Sequence, residues 1–302
     1  MIHIIIASYG EPKATVRAIN SFLEQNITEE FKIIILDPFK ETEEYIDKNI
    51  KDKRIEFFLD PGEGKSYALN ILFERIYSTN QKDIIILTDG DVYVSKNSLK
   101  GIINAFKDPK VGCVTGKPVS LNSRENKYGY IFSLLFSGID KVRKRLSSEN
   151  KFFECTGYLF AIRNGVLQGF PLETSEDSII PYLFWKKGYF IRYIPEAEVY
   201  VLNPQNWKDY KTQKIRNIKG HENLNKIAKD LPRTKSFGNE IKEGLFFALI
   251  YPKSIKEFFW TIELMISRLY IYLTAFFEIK FKKKTYSDGW RKDNLVSTRP
   301  LD

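Results

Sequence analysis

Cysteine, histidine and long uninterrupted hydrophobic runs are scarce in this chain of 302 residues. Its two cysteines, Cys113 and Cys155, are too few for a disulfide framework and fit a reducing compartment. Its two histidines, His3 and His221, lack the neighbouring ligands of a zinc-site pattern, so we assign neither a metal. The apolar run at residues 2–7 is too short for a signal-peptide core and lacks a basic lead, which predicts a cytoplasmic protein.

Positive charge is in excess, with a net charge of +9. This excess indicates an anionic partner, which could be nucleotide phosphates, a lipid surface or nucleic acid. Charged residues make up 28% of the chain and hydrophobic residues 43%, as in ordinary globular proteins, so disorder is not expected. The sequence contains no internal repeat and no low-complexity linker, and its length allows a substantial core.

Strand-like runs and segments of helical length alternate through the first half of the chain. The strand-like runs are residues 2–8, 31–37, 54–60 and 83–89. Helical segments, among them residues 12–25 and 65–77, separate them. This alternation predicts an α/β fold with a largely parallel sheet flanked by helices.

Polar residues follow these runs, at the edge where open α/β sheets bind ligands. They are Tyr9, Glu11, Asp37, residues 60–65, Asp89 and Asp91. A single aspartate after a strand is commonly a helix cap or a turn residue. Their recurrence on one edge favours a binding site instead. Two carboxylates separated by one glycine also repel each other unless a cation lies between them, and Mg²⁺ and Mn²⁺ prefer such oxygen ligands.

The stretch Gly64-Lys65-Ser66 is similar to the end of a phosphate-binding P-loop, but it fails that test. The loop needs a glycine five residues before Gly64, where this chain has Leu59. Lys65 could still meet a phosphate at a helix start, and a solvated lysine on a surface turn is the alternative.

Two helices of the second half carry further candidates. Ser175 can cap a helix that begins with Glu176 and Asp177, whose charges also complement the helix dipole. Adjacent helical positions point about 100° apart, so one carboxylate can face a cleft while the other anchors the turn. Gln213 and Arg216 share one face of a basic helical segment, for which a solvated surface is the alternative.

The order of the motifs resembles the family 2 glycosyltransferases of the GT-A fold over about residues 1–220. The motifs are "ASYGEP", "IIILDP", "GEGKSYALN", "DGD", "CTGYLFAIR", "SEDS", "IPEAEVY" and "QKIRN". Asn217 stands where synthase-like members have tryptophan in a Q-x-x-R-W motif, which argues against processive polymer synthesis.

The resemblance implies a mixed, mainly parallel sheet in a catalytic domain at residues 1–230, followed by a C-terminal helical extension at 231–302. The nucleotide-binding half would be about 1–117 and the acceptor half about 118–230. The implied activity is inverting and depends on Mn²⁺ or Mg²⁺: sugar moves from a nucleotide-diphosphate donor to an acceptor hydroxyl. A glycan, a lipid-linked acceptor and a polyprenyl phosphate acceptor all remain open. No nucleic-acid partner is expected.

Site roles follow from the same resemblance. Tyr9, Glu11, Asp37 and Lys65 would line the nucleotide pocket. Asp89 and Asp91 would hold the nucleotide sugar, with Asp91 nearest the metal ion. Asp177, or as second choice Glu176, would be the general base. Gln213 and Arg216 would contact the diphosphate or the acceptor. A sugar nucleotidyltransferase and a non-catalytic nucleotide-binding membrane protein are the rival interpretations.

The segment at residues 254–284 has the length of a membrane span, but Glu263, Arg268 and Glu278 interrupt it. Glu263 and Glu278 fall on one polar stripe, which predicts an amphipathic helix. With the lysines that follow, it could lie on an anionic membrane, giving a peripheral location on the inner face of the cell membrane. Packing on the catalytic domain or on a second subunit is the alternative, so the oligomeric state stays open.

Overall fold

The first four strands lie where the alternating sequence pattern predicts them. The computed structural model describes residues 1–172, 174–230 and 236–283. In these ranges the strands are β1 (Ile2–Ala7), β2 (Phe31–Asp37), β3 (Ile55–Leu59), β4 (Ile84–Asp89), β5 (Tyr93–Val94), β6 (Val111–Ser120), β7 (Leu159–Arg163) and β8 (Phe190–Val201). They form one eight-stranded sheet in the order β3-β2-β1-β4-β7-β6-β8-β5.

Helices connect and flank the strands of this sheet. They are α1 (Pro12–Leu23), α2 (Lys40–Asn49), α3 (Lys65–Arg75), α4 (Ser98–Ala105), α5 (Lys127–Ser148), α6 (Glu176–Lys186), α7 (Trp207–Ile227), α8 (Phe237–Ile250) and α9 (Ile255–Lys280). The bounds of α1 and α3 agree, to within two residues at each end, with the helical segments expected from the sequence. The C-terminal extension contains two helices, α8 and α9, within its described part.

The sheet is mixed, as expected. β1 pairs in parallel with β2 and β4, and β2 pairs in parallel with β3, so these four strands end at one edge. β7 runs antiparallel to β4, with Thr88 opposite Leu159, which brings the start of β7 to the same edge. The carboxylates that follow the first strands and the loop that contains Gly157 therefore meet at one place.

Side chains on both faces of the central strands are buried. On β1, Ile4 and Ile6 pack with Phe22 of α1 on one face of the sheet. Ile5 packs with Leu72 of α3 on the other face. This double burial is why the central strands are continuous aliphatic runs rather than alternating ones. It leaves the carboxyl edge of the sheet as the open surface.

Residues 152–163 were expected to form a strand or a hairpin around Gly157, and this expectation is partly wrong. Only Leu159–Arg163 forms a strand. Before it, the amide of Cys155 donates to the carbonyl of Asp177 at 3.0 Å. The amide of Thr156 donates to Oγ1 of Thr115 at 2.9 Å. These bonds to α6 and to a side chain replace strand pairing.

The helix α9 packs against α5 and α7 through one face. Leu264, Ile271 and Ala275 are buried there beside Tyr130 and Tyr210. The polar stripe expected on this helix is present, but its residues pair with other parts of the protein instead of only facing solvent. Its carboxylates Glu263 and Glu278 bind Lys127 and Lys219 at 2.6 and 2.7 Å.

Many apolar side chains of α8 and α9 remain exposed. They include Phe246, Ile250, Ile255, Phe259, Ile266, Leu273, Phe276 and Phe277. No helix within the described ranges combines the length and the apolar character needed to cross a bilayer. Of the lysines after the helical segment, Lys280, Lys282 and Lys283 are described, and Lys284 lies outside the described residues.

We expect the ion pair between Arg124 and Glu257 to make the attachment of α9 depend on pH. The Arg124 guanidinium donates to both oxygens of Glu257, at 2.8 and 3.0 Å. It lowers the pKa of Glu257 from 4.5 to about 2. A lowered carboxylate pKa stabilises the folded state above the unfolded pKa, and that contribution is lost as the pH falls towards the folded pKa.

Glu257→Gln should therefore lower Tm by about 2–4 °C at neutral pH. The difference from the unaltered protein should shrink between pH 4.5 and about 2. Glu263→Gln is the matched control, because its 2.6 Å pair with Lys127 is exposed and should contribute little. Thermal unfolding followed by circular dichroism checks this. A Tm difference that does not change with pH would contradict the role of the ion pair.

Candidate active site

A cavity of about 1860 Å³ opens at the carboxyl edge of the sheet. The loops after β1, β2 and β3, the last residue of β4, the loop before β7 and the start of α6 form one end of it. Residues of α5, α7, α8 and α9 form the rest of its wall. Of the residues predicted from sequence, those on the wall are Tyr9, Lys65, Asp89, Glu176, Asp177, Gln213 and Arg216.

Lys65 joins three parts of the site. It is the first residue of α3 and follows Gly64, whose φ of 107° suits glycine. Its ammonium contacts Asp89 Oδ1 at 2.8 Å and Glu176 Oε1 at 2.6 Å. Burial alone would lower the pKa of Lys65, but the two carboxylates outweigh it and raise the pKa above its ordinary value. Lys65 therefore stays charged and holds β4, α3 and α6 together.

The adjacent carboxylates Glu176 and Asp177 have different surroundings. Glu176 is 7% exposed, and its burial raises its pKa although Lys65 opposes this shift. Asp177 is half-buried on the cavity wall. A Cβ atom on Gly157 would lie 3.7 Å from Asp177 Oδ2, so this glycine leaves room beside the carboxylate. Both carboxylates line the cavity, and they differ in that Glu176 is paired with Lys65 and Asp177 is the more exposed of the two.

Ser175 was expected to cap α6, and the structure assigns it a different bond. Ser175 occupies the N-cap position, but its side chain makes no hydrogen bond to the helix amides. Its hydroxyl instead donates to Asp177 Oδ1. Ser175 therefore orients the carboxylate that faces the cavity.

The turn from Asp89 to Asp91 packs closely on the end of β1. The amide of Gly90 donates to the carbonyl of Ala7 at 2.7 Å. A Cβ atom on Gly90 would lie 2.8 Å from Cβ of Ser8, so a side chain here would displace the turn. Asp89 lies on the cavity wall, whereas Asp91, the residue expected to lie nearest the metal ion, is half-buried and does not line the cavity.

The donor set of this turn fits a magnesium or manganese ion that the substrate helps to bind. The described residues contain no cluster of three or more histidine, cysteine or acidic side chains arranged to hold a metal. Asp89 and Asp91 supply two carboxylates, and Mg²⁺ commonly uses one or two carboxylates together with substrate phosphates and water. Lys65, bonded to Asp89, adds positive charge at the same place.

At the nucleotide end of the cavity, Tyr9 lies on the wall as expected, but Asp37 and Glu11 do not. Tyr9 is exposed, and its ring packs edge-on against Phe39, with centroids 5.1 Å apart. Asp37 is fully buried and accepts bonds from the amides of Gly10 and Phe39, each at 2.9 Å. Asp37 therefore positions these loops and does not form the wall. Glu11 is half-buried at the N-cap position of α1 and also lies off the wall.

Sequence reasoning missed a polar cluster behind the candidate base. Glu154 is buried, and its Oε2 accepts a bond from the hydroxyl of Ser178. The same oxygen lies 3.2 Å from Nδ1 of His221. Both Glu154 and His221 line the cavity. No local signal marks this cluster, because its members come from three separate segments.

Curated relatives match most of the chain at low identity. Poly-beta-1,6-N-acetyl-D-glucosamine synthase of Staphylococcus aureus (strain COL) is 24% identical over 282 residues, which are 91% of this chain and 64% of that protein. N-acetylglucosaminyltransferase of Rhizobium meliloti (strain 1021) is 22% identical over 236 residues, 71% of this chain and 54% of that protein. The chain therefore spans about half to two-thirds of the length of the curated relatives it matches.

A solved structure and a family model complete the comparison. The mannosyltransferase of Pyrobaculum calidifontis, solved with GDP-Man and Mn²⁺, superposes with a TM-score of 0.57 at 14% identity. The match covers 98% of this chain and 83% of that one. This similarity shows the fold, which is of the GT-A type. The model of the family "Glycosyl transferase family 2" matches residues 3–170, more than half of the chain. The chain thus belongs to glycosyl transferase family 2.

Proposed function

We propose that this protein is an inverting, divalent-metal-dependent glycosyltransferase. It would move a sugar from a nucleotide-diphosphate sugar to an acceptor hydroxyl. One observation carries the proposal: Lys65 bridges Asp89, in the turn that would hold the donor diphosphate, and Glu176, next to the carboxylate that faces the cavity. A donor site and a candidate base thus lie on one wall, as transfer between two bound substrates requires.

The donor would lie along the carboxyl edge of the sheet. Tyr9 would offer its exposed ring to the base, and Asp89 and Asp91 would hold the ion to which the diphosphate binds. When bound, the ion neutralises the charge that develops on the leaving diphosphate. Gln213 and Arg216, half-buried on the same wall, would contact the diphosphate or the acceptor.

Asp177 is the better candidate for the general base. Glu176 is held by Lys65 at 2.6 Å, so it has a structural partner already. Asp177 faces the cavity beside Gly157, and the Ser175 hydroxyl orients it. In this role Asp177 would take the proton from the acceptor hydroxyl as that oxygen attacks the sugar on the face opposite the diphosphate. Attack from this face inverts the configuration of the sugar carbon.

Asp91→Asn should abolish the gain in nucleotide affinity that Mn²⁺ provides, because the substitution removes one of two carboxylates of the donor set. The fold should persist, since Asp91 is half-buried at the edge of the sheet. Asp47→Asn, which removes the same charge from an exposed position on α2, is the matched control. Calorimetric titration with UDP and GDP, with and without Mn²⁺, measures the effect. Unchanged Mn²⁺-dependent affinity in Asp91→Asn would refute the metal assignment.

Asp177→Asn should preserve donor affinity and lower the rate of transfer by roughly 10²-fold or more, the usual effect of losing a general base. Glu176→Gln should instead weaken donor binding and stability, because it breaks the contact with Lys65. Nucleotide titration and product formation under saturating donor separate the two effects. If Glu176→Gln loses only turnover while Asp177→Asn is nearly normal, the two roles are exchanged.

We also infer that the exposed apolar side chains of α8 and α9 rest on an anionic lipid surface. Phe246 and Ile255 are 75% and 79% exposed, which is costly in water and favourable at a lipid interface. Lys280, Lys282 and Lys283 adjoin this surface, and each could contribute about 1 kcal/mol near anionic lipid. The apolar face and the basic end of α9 would then act together.

Vesicles that contain phosphatidylserine should sediment with the protein at low salt and less so at high salt, because salt screens the lysines. The double substitution Phe246→Ser and Phe259→Ser should weaken this binding. Leu172→Ser replaces an exposed apolar residue that lies outside α8 and α9, so it should leave vesicle binding unchanged. Protein that stays in the supernatant at low salt and elutes as a dimer would favour a subunit interface instead.

A further inference from the structure

The cavity continues beyond the catalytic carboxylates into an apolar region between α5, α8 and α9. We call this region the apolar arm. Its walls are Leu134 and Ile139 of α5, Phe247 and Ala248 of α8, and Leu264 and Phe276 of α9. Asp177 and the apolar arm thus belong to one continuous space.

Polar groups also line this space, and three of them, on α8 and α9, bond to one another. Arg268 donates to Glu240 Oε2 at 3.0 Å through Nε, and Nη2 of the same guanidinium also bonds this carboxylate. The Tyr272 hydroxyl donates to Glu240 Oε1 at 2.7 Å. These groups therefore close the wall without requiring a polar ligand, and the surface left for an occupant is mainly hydrocarbon.

The mouth of the apolar arm opens beside the exposed apolar face of α8 and α9. Leu245, Ile266 and Phe276 line the cavity and are at the same time exposed to solvent, Ile266 by 65%. Phe246 and Ile250 do not line the cavity, and they extend the exposed apolar surface of α8. A hydrocarbon chain could pass from this face into the arm without leaving an apolar surface.

A purely sugar acceptor does not match these walls. The hydroxyls of a glycan need hydrogen-bond partners when they are buried, and leaving them without partners is costly. A hydrocarbon chain gains about 0.8 kcal/mol per buried methylene in such surroundings. The walls of the apolar arm therefore favour a chain over a glycan, while the Asp177 end suits a hydroxyl.

We propose that the acceptor is a lipid whose hydroxyl-bearing end reaches Asp177 and whose hydrocarbon chain occupies the apolar arm. The inference rests on the proposed glycosyl transfer and adds the class of its acceptor. It assigns to α8 and α9 a direct part in acceptor binding, in addition to their contact with the rest of the protein.

Two glycines of α8 supply a matched pair of variants. Gly244 lines the cavity and Gly238 does not, and a Cβ atom on either would meet no atom within 4 Å. Gly244→Phe should therefore place a ring in the apolar arm, starting from a Cβ position that is open. Gly238→Phe should place the same side chain outside it. Both replacements remove a glycine from a helix, so neither should destabilise α8.

The probe is a series of alkyl β-glucosides from methyl to decyl, used below their micelle concentrations with the full chain, Mn²⁺ and a nucleoside diphosphate. Titration calorimetry should show that the dissociation constant falls roughly fourfold per added methylene in the unaltered protein and in Gly238→Phe. In Gly244→Phe this dependence should flatten, and decyl glucoside should bind at least tenfold more weakly.

Three results would overturn the proposal: no binding of the longer glucosides, an affinity independent of chain length, or equal behaviour of the two variants. Equal behaviour would place the hydrocarbon on the outer face of the helices. The same samples report Mn²⁺-dependent binding of the nucleoside diphosphate. If that binding persists while chain-length dependence is absent, only the lipid acceptor is refuted. If it is absent from the unaltered protein, the proposed glycosyl transfer itself is refuted.

Discussion

The contact of one ammonium with two carboxylates organises the whole candidate site. Lys65 bonds Asp89 at the end of β4 and Glu176 at the start of α6. Without the lysine, these two acids would repel each other across the edge of the sheet, and each would be poorly solvated there. The bridge thus joins β4, α3 and α6, while Asp177 beside it lies on the cavity wall and is bonded by Ser175.

The other contacts of the site extend this arrangement outward. Asp37 is buried and holds the loops of Gly10 and Phe39, so the exposed ring of Tyr9 has a rigid support. Behind Asp177, Glu154 links Ser178 of α6 with His221 of α7. Buried polar groups keep such positions only when they have partners, and here the partners come from separate elements.

The C-terminal helices α8 and α9 lengthen the cavity and add a mainly apolar wall to it. Their inner side chains pack on α5 and α7, and several of their outer ones are exposed and apolar. One end of the cavity is therefore mainly ionic and the other is mainly apolar. With α8 and α9 in place, the cavity gains a surface suited to an amphiphile.

The amino-acid sequence by itself determined the elements whose signals are local. The aliphatic runs and the helical segments between them predicted β1 to β4, α1 and α3, and the shared edge followed from parallel pairing. Tertiary structure alone decided the rest, because each such feature depends on residues far apart in the chain. Lys65 is 111 positions before Glu176 in sequence but 2.6 Å from it in space. The same reason explains why Asp37 is buried and why Glu154 contacts His221. It also explains why only some apolar residues of α9 are buried. Apolar residues lie on more than one side of α9, and the neighbouring helices α5 and α7 decide which side is covered.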